Sequence, residues 1–398
     1  MTTDTPSGQR PLPYSPLYFL AALGNGGLAV SFFIYLMFLV PYSGTPIPTW
    51  DSWTAAFSGE DGSVALLAAA ALVGVIVFTI RHIHSLIWNL RQYRAFRHTE
   101  AYTALLRGNA EVQLMAIPLT LTMTVNVGFV VGALFVPGLW NVVEWLFPLA
   151  LTAFTAIAVY GLRLFLSYMG RLVAEGRFNW ATNNSLSQLL AIFALVMIAV
   201  GFAAPAAMSH TTATAAIGLF GAIFFLSAAG LFAVIKLVLG FRDMFERGVS
   251  ADGAPSLWIV IPILTVSGIA VRRLAHGLGH LFPHPVQQGD GLVFMTVFLS
   301  LQILFALLGW VVMRRIGYFE TYLRGPGLSA SSYALICPGV AMMVFGMFFL
   351  HAGLVSAGLV TAGSLVYFLL LAPLVAVQIL TIAVMLVLDR RHFGRRKS

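Results

Sequence analysis

Charged residues are scarce in this 398-residue chain: Asp, Glu, Lys and Arg together make up 9% of it, whereas 59% of it is hydrophobic. A soluble domain needs far more charge on its surface, so this composition excludes a soluble globular protein. The single cysteine, Cys337, excludes an intramolecular disulfide and any cysteine-based metal cluster. Continuous apolar runs, such as residues 64–80, also exclude the alternating strands of a membrane barrel.

Long apolar stretches recur from end to end, and each has the length of about 20 residues that a membrane-spanning helix needs. The sequence therefore predicts an all-α polytopic membrane protein with ten transmembrane helices, forming one domain over residues 17–389. Residues 1–16 and 390–398 are predicted to be terminal tails. The predicted spans lie near residues 17–40, 64–90, 111–136, 140–166, 185–207, 213–239, 256–275, 290–315, 330–355 and 360–388.

The basic residues, which give a formal charge of +8, alternate between the two sides of the predicted bundle. The loops after the first, third, fifth and ninth spans contain no Lys or Arg, whereas the other side is rich in arginine. This positive-inside pattern predicts an inner (plasma) membrane protein with both termini in the cytoplasm. It also explains the basicity without a nucleic-acid partner. Arg272 and Arg273, expected to follow the seventh span, are the one exception.

Polar and helix-breaking residues concentrate in the odd-numbered spans, where they are costly unless they face protein or water. They predict a transport path along these spans, lined by helices that Pro118, Pro262 and Pro338 kink at mid-span. Since Gly, Pro and Thr also pack membrane helices and cap local carbonyls, each residue alone has a purely structural alternative. The candidates are Gly24 in span one, Pro118, Thr120, Thr124 and Asn126 in span three, Pro262 and Thr265 in span seven, and Tyr333, Cys337 and Pro338 in span nine.

No Asp or Glu falls in the middle of a predicted span; Glu111, Glu144 and Asp389 lie near span ends. Proton-coupled transporters usually use carboxylate relays, and cation pores use acidic rings. Their absence favours passive movement of small anions through a channel or uniporter.

Three segments, Pro16 to Gly24, Ala116 to Met123 and Ile259 to Ile263, together with the odd-span prolines, resemble the tellurite-resistance/dicarboxylate transporter family. That family includes the TehA proteins and the plant slow-type anion channels. The resemblance implies a pseudo-five-fold bundle of helical hairpins, with odd helices inside, assembled as a homotrimer among membrane lipids. It also implies passive conduction of tellurite, sulfite, chloride, nitrate or C4-dicarboxylates, with neither cofactor nor enzymatic activity.

Two features depart from that family. Its gating phenylalanine aligns here with Cys337, or with Ile336 if the alignment shifts by one residue. Phe345 and Phe19 are therefore candidates for a replacement gate. The fifth span is also interpreted as lacking the proline that would kink it.

Histidines leave two alternatives open. His276, His280 and His284 recur every fourth residue and could hold a metal on a helix, although glycines and prolines interrupt the segment, and no metal site is predicted. His82 and His84 could serve as haem ligands in a different kind of protein, the membrane anchor subunit of a quinol-interacting redox complex. No nucleotide-binding loop, nucleophile elbow or HExxH motif predicts an enzyme.

Overall fold

A computed structural model describes residues 14–176, 178–180, 183–281 and 288–393. Over these residues the protein is helical without any strand, and ten helices are long and apolar enough to cross a membrane. The predicted fold class is confirmed. The helices are α1 (Phe19–Leu39), α2 (Trp50–Ser58), α3 (Gly62–Phe96), α4 (Glu100–Leu106), α5 (Ala116–Phe135), α6 (Val143–Glu175), α7 (Leu190–Met208), α8 (Thr212–Arg247), α9 (Val260–Leu281), α10 (Gln288–Arg315), α11 (Ile336–Phe348) and α12 (Leu365–Phe393).

Several helices extend past the predicted span ends. Helices α6 and α8 end at Glu175 and Arg247, well beyond residues 166 and 239. Charged residues mark the end of the hydrocarbon region, but they are good helix formers and do not end a helix in water. The tail predicted to begin at residue 390 likewise starts inside α12. There Arg391 donates hydrogen bonds to the carbonyls of Tyr322 (2.8 Å) and Gly327 (2.7 Å).

The spanning helices form two layers. We call α1, α5, α7, α9 and α11 the inner helices, and α3, α6, α8, α10 and α12 the outer helices. In the most apolar 18 residues of each span, 56–94% of the residues of the inner helices are buried, against 11–33% for the outer helices. Each inner helix pairs with the outer helix that follows it, and the inner helices contact one another in chain order until α11 returns to α1. Five hairpins therefore form a closed ring.

Both ends of the described chain lie on one side of this ring, which we call the terminal side; the opposite side is the distal side. The Tyr18 hydroxyl is 3.0 Å from Nδ1 of His392, and the Trp88 and Phe393 rings are 4.9 Å apart. Because successive spans cross in opposite directions, all five inner helices start on the terminal side.

A short 3-10 segment precedes every inner helix: Pro16–Tyr18, Asn109–Met115, Ser187–Leu189, Ala254–Ile259 and Ala330–Leu335. Pro118, Pro262 and Pro338 each occupy the third residue of the α-helix that follows. Amides in a first helical turn have no acceptor within the helix, so proline is tolerated there. These prolines mark a change of helix type rather than the mid-helix kinks that we predicted. Helix α7, the fifth span, does contain a proline, but this residue, Pro205, lies in the last turn at the distal end of the helix.

Candidate functional site

Glycines of α1 bring the first and last inner helices together. A Cβ atom at Gly24 would lie 2.8 Å from Cγ2 of Ile336, and one at Gly27 would lie 3.1 Å from Cγ1 of Val340. Contacts this short are tighter than ordinary packing, so a side chain at either position would force its neighbour to shift. Gly24 is therefore placed at the helix interface between α1 and α11, where it allows close approach.

The threonines of α5 join neighbouring helices. The Thr120 hydroxyl donates to the carbonyl of Ala116 (2.8 Å) or of Phe19 on α1 (3.1 Å). The Thr124 hydroxyl oxygen lies 3.0 Å from Nε2 of His82 on outer helix α3, and 3.0 Å from the carbonyl oxygen of Thr120. Their hydroxyls are thus occupied by protein partners, as the structural alternative expects.

Thr265 has a similar position in α9. Its hydroxyl donates to the Ala341 carbonyl of α11 (3.1 Å) and accepts from Nε2 of Gln302 on α10 (3.1 Å). The residue is 3% exposed and connects three helices. It is placed between helices, away from the centre of the ring.

Asn126 differs from these threonines, because its side chain is partly exposed and makes no hydrogen bond to any residue that the structure describes. Two residues advance about 200° around an α-helix, so Asn126 faces away from Gly128, which is exposed on the outside of α5. Met123 and Phe129 lie about 60° to either side of Asn126 around the helix. Met123 contacts Gly26 of α1, and the Phe129 ring packs against Phe147 of α6. Asn126 therefore faces the interior of the ring.

The same angular reasoning places Cys337 on the inner face of α11. Gly339, two residues on, lies against Thr381 of outer helix α12, so Cys337 faces the opposite way. It is 9% exposed. Pro338, its neighbour, belongs to the first turn of the same helix.

Neither phenylalanine suggested as a gate faces this interior. The Phe345 ring lies against Gly268 of α9, and its centroid is 6.2 Å from that of Phe298 on outer helix α10. The Phe19 ring is 6.2 Å from Tyr93 of outer helix α3. Both rings pack between inner and outer helices, and we do not retain them as gate residues.

Tyr333 belongs to a polar cluster that joins the first hairpin to the last. Its hydroxyl donates to Asp389 of α12 (2.8 Å), and that carboxylate pairs with Arg81 of α3. Nε of Arg81 in turn donates to Asn25 of α1 (3.1 Å). We call these four residues, Asn25, Arg81, Tyr333 and Asp389, the seam. The seam holds together the two hairpins that complete the ring.

The other carboxylates near span ends also have partners. Glu111 pairs with Arg171 of α6. Glu144, in the first turn of α6, accepts hydrogen bonds from the His210 amide (2.8 Å) and the Ser209 hydroxyl (2.7 Å). The five inner helices themselves contain no Asp or Glu and only two cationic residues, Arg272 and Arg273 of α9.

Sequence reasoning missed the place of these two arginines, which were expected in a loop after the seventh span. Helix α9 continues to Leu281, so both lie within the spanning helix. Arg272 is exposed, whereas Arg273 is partly buried and donates from Nη1 to the Val200 carbonyl of α7 (3.1 Å). The signal that could have identified them was their violation of the positive-inside pattern.

Histidine placement gives the redox alternative no support. Nδ1 of His82 is 2.8 Å from the Ala22 carbonyl and Nε2 contacts Thr124, so an axial haem bond would break one of these contacts. His276 and His280 lie in α9, while His284 lies outside the described residues. Within the described part of the chain no three metal-ligating side chains come together.

Comparison with known proteins adds nothing to these observations. No protein-family model matches the chain, and no curated protein matches it either.

Proposed function

We propose that this membrane protein passes small anions passively through the centre of its ring of inner helices. The observation that carries the proposal is the charge of those helices, which have two arginines and no carboxylate. A cation path needs acidic groups or many free carbonyls, and a proton-coupled path needs a titrating relay. The carboxylates nearest the span ends are already paired with cations or backbone amides.

Asn126 and Cys337 are the retained lining candidates. Both face the interior from different inner helices, and both are uncharged, so the path would respond to membrane voltage without needing protons. With the positive-inside topology in a plasma membrane, a univalent anion leaving the cytoplasm gains about 2.3 kcal/mol per 100 mV. Uncoupled flow then favours export. Chloride, nitrate, sulfite, tellurite and C4-dicarboxylates are the anion classes to compare.

Homotrimer assembly is a further part of the proposal. The outer helices expose large apolar side chains, such as Phe220 (74%) and Leu231 (62%) of α8, which lipid or a second copy must cover. The mass of the detergent-solubilised complex tests it, and a monomeric mass under mild conditions would count against it.

The decisive test of transport is anion flux in proteoliposomes with the membrane potential clamped. We expect voltage-dependent flux of at least one of chloride, nitrate, sulfite and malate, unchanged when a proton gradient is removed. Cys337→Phe should reduce the flux by filling the inner face of α11, whereas Gly128→Ala on the outside of α5 should not. Flux that collapses with the proton gradient at constant voltage would contradict passive conduction.

A thiol-accessibility test locates the path independently. In a Cys337→Ala background, Asn126→Cys should react with a small, charged, membrane-impermeant sulfhydryl reagent and lose flux. Gly128→Cys, two residues away and facing lipid, is the matched control and should stay unmodified. Equal labelling of both positions would remove Asn126 from the path.

A further inference from the structure

Arg273 is held in the wall between two inner helices. Its Nη1 donates to the Val200 carbonyl of α7, and Val200 is itself only 7% exposed. Arg272 precedes it by one residue, or about 100° around the helix, and is exposed on a different face of α9. Adjacent arginines of one helix thus occupy very different environments.

Among the residues that the structure describes, the rest of the Arg273 guanidinium has no partner. Ion pairs among the described residues use Arg81, Arg171, Arg242 and Arg247, and none of them involves Arg273. Nε and Nη2 donate to no carbonyl or carboxylate of the described residues, and neither nitrogen is closed off from solvent. The residue is partly exposed, although it lies between two inner helices. An anion or water on the distal half of the ring can therefore reach these two donors.

The geometry points to an anion-binding site at Arg273, and we propose that it takes a small oxyanion such as nitrate or sulfite. Nε and Nη2 share one edge of the guanidinium, and this edge offers two parallel N–H groups that match two oxygens of an oxyanion. The bond from Nη1 to Val200 fixes the orientation of that edge. The site lies in the path proposed above and rests on that proposal.

A binding assay tests the site without requiring transport. The purified protein is kept in a neutral detergent without added phospholipid, so that a lipid headgroup cannot be the ligand, and nitrate replaces chloride at constant total salt. Binding to the folded state should raise the thermal midpoint with nitrate concentration, logarithmically once the site is filled, and a fit to this rise gives the half-saturating concentration. Arg273→Gln should raise the half-saturating nitrate concentration by about tenfold or more, the effect of losing charge-assisted hydrogen bonds.

Arg272→Gln is the matched control, because it removes the same charge one residue away and should change half-saturation by less than about twofold. Arg273→Lys keeps the charge and can keep the bond to Val200, but it lacks the two-donor edge, so its preference for nitrate over chloride should fall. This variant keeps the test valid if Arg273→Gln proves unstable. Equal nitrate titrations for wild type and Arg273→Lys, or an equal loss with Arg272→Gln, would overturn the site.

Flux measurements separate this inference from the proposed function. Nitrate flux that persists while Arg273→Gln and Arg273→Lys bind nitrate normally would reject the site and leave the transport proposal standing. Arginine-dependent nitrate binding without flux of any anion would reject the transport proposal and leave the site standing.

Discussion

Replacing Asp389 by asparagine should weaken the seam that closes the ring, by an amount that can be worked from the burial of its ion pair. The side chains of Arg81 and Asp389 are 31% and 22% exposed. A fully exposed pair contributes about 0–1 kcal/mol, whereas removing one partner of a buried pair costs about 3–5 kcal/mol. For this intermediate burial we expect Asp389→Asn to lower the free energy of unfolding by about 2–3 kcal/mol.

The partners of the carboxylate define the rest of the experiment. Tyr333→Phe removes only the 2.8 Å hydrogen bond to Asp389 and should cost about 1.5 kcal/mol. The double variant Arg81→Gln/Asp389→Asn leaves neither charge unpaired, so it should cost less than the sum of the single changes by about 1–2 kcal/mol. Equilibrium unfolding in mixed micelles of a mild detergent and dodecyl sulfate, followed by circular dichroism, measures each value.

A surface ion pair of the same protein supplies the control. Arg242 and Glu246, one turn apart near the end of α8, are 3.3 Å apart and are 63% and 47% exposed. Arg242→Gln should change stability by less than about 0.5 kcal/mol. Strict additivity of the seam variants, or a loss from Arg242→Gln as large as that from Asp389→Asn, would refute the idea that this pair holds the first and last hairpins together.

Three other changes test the packing and the burial of polar groups. Gly24→Ala should cost about 1–3 kcal/mol through overlap with Ile336, and Ile336→Ala should cost less in that background than in wild type; identical costs would contradict the close approach. The free energy of unfolding of Gln302→Met should stay within about 1 kcal/mol of wild type, because the change removes an Oε1 atom that is buried without a partner among the described residues. Thr265→Val should cost more in the same unfolding assay. Burial raises the pKa of Tyr318, in the loop after α10, above its value in the unfolded chain. Its contribution to stability is therefore complete below the unfolded pKa of about 10 and is lost as the pH rises above it; Tyr318→Phe should show a shallower alkaline loss of stability, and parallel curves would argue against the burial.

Hydropathy alone was enough to predict the number and order of the spanning helices, because each of them needs about 20 mostly apolar residues to cross the hydrocarbon core. Polar residues such as Asn126 marked the odd-numbered spans as the helices that protein or water covers, and the family resemblance implied the two layers. The partners of those residues could not be predicted. Thr120 is 101 positions from its acceptor Phe19, and only the closure of the ring brings the two together.

The sequence-based predictions for the position of Pro118 in its helix and for the position of Arg273 were wrong, each for a local reason. Pro118 was expected to kink a helix, because a span of 26 residues gives no sign of where its 3-10 segment ends. Arg273 was assigned to a loop, because an average over hydropathy treats every arginine as an end signal. A guanidinium can stay inside a spanning helix if an acceptor lies across the interface, as the Val200 carbonyl does here.

The cost of unsatisfied polar groups explains why the candidate path narrows to so few residues. A polar group without a partner in hydrocarbon costs several kcal/mol, so a helix bundle tolerates one only where water or an ion can reach it. Asn126 is ten residues into α5 and Arg273 is thirteen residues into α9, or about 15 and 20 Å from the helix starts. Both inner helices start on the terminal side, so the two groups differ in depth by about one helical turn. Two groups with unpaired N–H donors at nearly the same depth, on separate inner helices, are most simply stabilised by a shared hydrated space. Because the inner helices carry two arginines and no carboxylate, such a space would be electropositive.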